Sequence, residues 1–125
     1  MGYLEDKFGG GRTKVWYNKD PECLPSYYGF KPLPEKCRID ADNLSKTHTM
    51  LGTVPFEELE VVWENMQSDN WSPDGKARKL IEEKGLFHTS MCVGDIVELP
   101  DGGVWMAAIV GFVDVKKSRV RELPR

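Results

Sequence analysis

His88, Ser90 and Asp95 are residues of types that do chemistry, and they stand close together in the chain. A hydroxyl nucleophile needs a base within hydrogen-bond reach and a third group that orients the base. The trio offers one of each. On extended backbone alternate side chains share a face, so His88 and Ser90 share one. No nucleophile elbow surrounds Ser90, however. Thr, Ser and Asp also bond neighbouring backbone N–H groups as a matter of routine, and Thr89, Ser90 and Asp95 are read that way. The expectation is therefore no enzyme, with no catalytic residue. A small hydrolase built on His88 ranks behind two binding readings.

Cys23, Cys37, Cys92, His48 and His88 could in principle ligate a metal. No two of them have the close spacing of a zinc knuckle, and cysteine is often only a small buried hydrophobe. No metal is expected. The cysteine count of three is odd and does not make a disulfide framework, so all three are expected as free thiols. There is no Walker loop and no glycine-rich turn between a strand and a helix. Gly9-Gly10-Gly11-Arg12 precedes a strand, so it is no phosphate cradle of that type. No cofactor is expected.

Two charged regions remain. Glu57, Glu58, Glu60, Glu64 and Asp69 fall in a stretch without Lys or Arg from Leu51 to Asn70. Lys116, Lys117, Arg119 and Arg121 begin a basic tail that only Glu122 opposes. Such faces are commonly plain solvation, but together they make a dipolar surface able to steer a partner. Trp71 lies between Asn70 and Ser72 in a loop and is read as an exposed anchor. Trp63 and Trp105 are read as core. Tyr27 and Tyr28 sit in a proline-rich stretch from Pro21 to about Lys36, which packs as a cover or forms a binding lip.

The chain has 125 residues, which suits one domain, with 1–12 as a flexible lead and 116–125 as a basic tail. A net charge of −3 argues against sequence-blind DNA binding. No apolar run approaches the roughly 20 residues that span a bilayer, and no signal peptide is visible. A cytoplasmic location without membrane contact is the default expectation.

Positioning these residues requires strands at Thr13–Asn18, Cys37–Asp40 and Thr47–Val54, read from their β-branched and aromatic content. Phe56, Leu59, Val62, Trp63 and Met66 recur at helical spacing and predict a helix from Pro55 to about Ser68. Ser72 and Pro73 start a second, shorter helix that ends at Gly85. Ile96–Leu99 and Val104–Val110 read as a hairpin around Pro100-Asp101-Gly102-Gly103. The second run is apolar throughout and is expected to be central. Gly111-Phe112 then permits a bend before Val113-Asp114-Val115.

Ser90-Met91-Cys92-Val93-Gly94-Asp95-Ile96-Val97, followed by Gly103 and Gly111-Phe112, resembles a signature of small proteins from phages, archaeal viruses and plasmids, with a similar one in YodL-type domains. The resemblance covers about residues 45–113. Cys92 departs from the more usual Ser. It implies a mobile-element setting and carries no catalytic residue.

The combined reading is an α+β domain. A curved, mostly antiparallel sheet or open barrel has one longer and one shorter helix packed on one side. The expected function is a non-catalytic accessory protein of phage or mobile-element type that binds, and by analogy inhibits, a host or defence protein. Glu57, Glu58, Glu64, Asp69, Trp71, Tyr27 and Tyr28 would form that surface. The alternative is a small-barrel module for a nucleotide or single-stranded nucleic acid. There His88, Ser90, Lys116, Lys117, Arg119 and Arg121 would line the site and basic groups would meet phosphate.

Overall fold

The computed structural model describes residues 2–23 and 35–116. Its frame is a five-stranded antiparallel sheet in the order β2-β1-β3-β4-β5, open at both edges. The strands are β1 (Thr13–Asn18), β2 (His48–Val54), β3 (Ile96–Glu98), β4 (Val104–Ala107) and β5 (Phe112–Asp114). The α+β class follows from this sheet and the short helices packed on it.

Side-chain alternation along the strands divides the interior into two cores. Val15, Tyr17 and Val97 face one side, where they meet Leu4, Val62, Met66, Trp71, Ile81 and Met91. Ile96, Val104 and Met106 face the other, where Leu44, Val115 and half-buried Trp16 and Ile39 close over them. Helices cover the first face. The chain around residues 39–44 covers the second. A β-bulge between Val15 and Trp16 breaks the register of β1 against β2.

The helices are shorter than the periodicity predicts. The expected helix from Pro55 to Ser68 is α2 (Leu59–Asn65) followed by a separate α3 (Ser68–Trp71). Gln67 between them is extended, with φ −75° and ψ 137°. Pro55 lies in a bend and not at the first helical position. The shorter helix, α4 (Arg78–Glu83), begins later than expected. The Ser72 hydroxyl still accepts the Ala77 N–H at 2.8 Å just ahead of it.

Four further expectations are corrected. The lead is helical from Tyr3 to Phe8 (α1), with Leu4 fully buried against the first core. Its approach to β2 is possible because Gly52 has no side chain: a Cβ there would meet Leu4 and the Glu5 carboxylate. Cys37–Asp40 is not a strand, and Cys37 ends a single 3-10 turn, Glu35–Cys37. Cys23 and Cys37 are joined as a disulfide, so Cys92 is the remaining thiol. The apolar run from Val104 is strand only to Ala107.

The tryptophans exchange places relative to the expectation. Trp71 is fully buried, whereas Trp63 and Trp105 are only partly buried. The indole of Trp71 fills the first core, and its Nε1–H donates to the Thr89 carbonyl. The neighbouring Asn and Ser misled the reading, because polar neighbours do not place a side chain that a short helix turns inward.

Candidate functional site

The loop from His88 to Asp95 gathers the residues of chemical type. Gly94 has φ +99°, a conformation that favours glycine, and it turns the chain into β3 behind Asp95. The Asp95 carboxylate is wholly buried. Oδ1 accepts the Asn18 backbone N–H at 2.8 Å. Oδ2 accepts the Cys92 N–H at 2.7 Å and pairs with His88 Nε2 at 2.8 Å. An ionised carboxylate is acceptor-only, so the proton of a neutral His88 sits on Nε2. Its imidazole stacks on Tyr17 with centroids 4.5 Å apart and planes 11° from parallel. His88 Nδ1 is buried and has no hydrogen-bond partner among the described residues.

The same loop is pinned on every side. Tyr17 and Trp71 both donate to the Thr89 carbonyl. The Ser90 hydroxyl accepts the Ser68 N–H at 2.9 Å and so caps α3 from a distant part of the chain. His48, fully buried in β2, bonds the Gly94 carbonyl through Nε2 and the Thr47 hydroxyl through Nδ1, both at 2.7 Å. Burial holds its pKa below the ordinary imidazole value, opposed by the Gly94 carbonyl.

Among the described residues no hydrogen bond joins the Ser90 hydroxyl to His88. Asp95 orients the imidazole, but the hydroxyl is used to cap α3. The structure does bring together a trio that sequence spacing did not suggest. Donor atoms of His88, Cys92 and Asp95 lie within 4.8 Å of one another. Burial first, and then the Asp95 charge, raise the Cys92 pKa to about 11. The thiol therefore stays protonated near neutrality, and the thiolate is the form that attacks or ligates. Both Asp95 oxygens already serve hydrogen bonds. The trio reads as a structural knot.

The residues expected to bind a partner differ in exposure. Glu57, Glu58, Glu64 and Asp69 are exposed, and Glu57 meets Arg12 at 3.3 Å on the surface. Trp71 is interior. Tyr27 and Tyr28 lie outside the described residues. Of the alternative ligand set, His88 and Ser90 are committed to the loop, and Lys116 donates to the Gly102 carbonyl at 2.7 Å. Lys117, Arg119 and Arg121 lie outside the described residues.

A different surface emerges beside the acidic helix. Between α2 and the β4–β5 turn is a cavity of about 230 Å³ lined by Glu60, Trp63, Ala108, Ile109, Gly111 and Phe112. Trp63 and Phe112 meet edge to face at its wall, 6.3 Å apart. Ile109 is 68% exposed and Val110 89%. Sequence reading missed this surface by extending β4 through both residues. One signal was present. Two antiparallel strands need a turn between them, and with strand character resuming at Phe112 that turn had to come from residues 108–111. No family model, no curated protein and no solved structure matches the chain.

Proposed function

We propose that the chain is a non-catalytic binding protein that docks another protein through the groove between α2 and the β4–β5 turn. The observation that carries this reading is the adjacent pair Ile109 and Val110, both largely exposed beside an apolar cavity. Single exposed apolar residues are ordinary, but a contiguous patch rimmed by polar groups marks an interaction site. Half-buried Trp63 and Phe112 supply the aromatic surface typical of interface centres. Trp63 thus takes the anchoring role first expected of Trp71.

The resemblance of the Ser90–Val97 signature to phage, archaeal-virus and plasmid proteins supports an accessory role against a host or defence component. Inhibition is the outcome that role suggests. The Cys23–Cys37 cross-link favours an oxidising compartment over the cytoplasm first expected. Among the described residues no helix is long and apolar enough to cross a membrane.

The test compares proteins captured from host lysate by the wild-type chain and by an I109S/V110S variant. A partner retained by the first and lost by the second, with both chains folded, is the expected result. Equal capture by both would remove the groove from the reading.

A further inference from the structure

Resting on that docking reading, we infer that the groove's partner is a basic protein segment, in which Lys or Arg residues flank one bulky apolar side chain. The apolar side chain enters the cavity between Trp63 and Phe112, and the cations meet Glu60 and Glu64. Charge complementarity carries the argument. Glu60 lines the cavity itself. Glu64 stands four residues on, on the same face of α2. Neither makes an ion pair among the described residues, unlike Glu57 with Arg12. The lining contains no Lys, Arg or His to offset them.

A carboxylate beside an apolar surface discriminates strongly by sign. Displacing water from the groove lowers the local dielectric, so an incoming acid would be repelled and an incoming base attracted. The cavity volume of about 230 Å³ is below the usual range of roughly 300–1,000 Å³ for small-molecule sites. It suits one side chain presented by a larger partner. The half-buried aromatics add a surface on which an Arg guanidinium can stack. A segment with its cations spaced about one helical turn apart, or on alternate residues of a strand, would reach both glutamates.

The experiment selects a displayed library of random short peptides against the folded chain. Recovered clones are then titrated against the wild type, I109S/V110S and E60K/E64K. All four substituted residues are exposed, and the urea midpoint of each variant is measured alongside. The expected clones carry Lys or Arg around one Leu, Phe or Trp. They should weaken by roughly 30-fold or more on I109S/V110S. On E60K/E64K they should weaken about tenfold, with a flatter salt dependence. Clones that need Ile109 and Val110 but show no excess of basic residues, or ignore E60K/E64K, would overturn the basic partner and leave the docking groove standing. Recovery of no clone that depends on Ile109 and Val110 would overturn both.

Discussion

The His88–Asp95 loop and the β4–β5 turn are opposite in character. The loop holds a histidine, a serine, a cysteine and an aspartate, and most of their polar atoms are satisfied internally. The turn holds alanine, isoleucine, valine and glycine, and it leaves its two largest side chains in water. Residue type alone would place function in the loop. The hydrogen-bond and burial pattern is why we propose it at the turn instead. A reactive side chain already committed to fold-making bonds has little left for a ligand, whereas an apolar side chain without a neighbour gains by acquiring one.

This contrast can be broken most sharply at Trp71. Trp71→Ala removes a fully buried indole from the first core and its bond to the Thr89 carbonyl. It should cost about 3–5 kcal/mol in urea unfolding. A loss below about 1 kcal/mol would mean that the loop is not packed as described. Asp95→Ala should cost about 3 kcal/mol, because it strands the Asn18 and Cys92 N–H groups and His88 Nε2 without an acceptor. Asp95→Asn should recover little, since its amide nitrogen would face donors.

A smaller effect is expected with pH. The folded-state pKa of His48 is depressed by burial below the reference value of 6.5. The unfolded chain therefore takes up the proton first. Stability from this group is complete above the unfolded value and is lost as pH falls through the folded one. The urea midpoint of the wild type should decline as the solution is acidified below that reference, and His48→Gln should flatten the decline. An unchanged slope in the variant would remove His48 as its source. Smallest of all is the turn itself. I109S/V110S should shift stability by no more than about 0.5 kcal/mol, since both side chains are largely exposed. A large loss there would show that the turn is structural after all.

Much of the frame was legible in the residues. The β-branched run at Thr13–Asn18, the second strand ending at Val54 and the Pro-Asp-Gly-Gly turn are local signals, and each element stands where its pattern predicts. What was not legible depends on tertiary partners. The α2–α3 break occurs where Ser90, distant in sequence, caps Ser68. α1 needs the bare backbone of Gly52, on which Leu4 and Glu5 sit. The inward turn of Trp71 is set by Tyr3, which meets it edge to face at 6.0 Å, and by Thr89. The candidate groove was hidden for a simpler reason. An unbroken apolar run reads as one strand until a neighbouring strand claims its end as a turn.

The Cys23–Cys37 bond also bears on the order in which the sheet assembles. The Asn18↔His48 pair at one end of the β1–β2 ladder closes a long connection, and the cysteines, 14 apart in sequence, lie within it. Once they are joined, the contour between the strands no longer includes the segment between them. Closure entropy grows with loop length, and pairing of distant segments is the slow step of sheet folding. The oxidised chain should therefore bring β2 onto β1 faster than the reduced chain. A nascent chain that reaches an oxidant early would gain a kinetic head start on the misfolding routes open to unpaired strands.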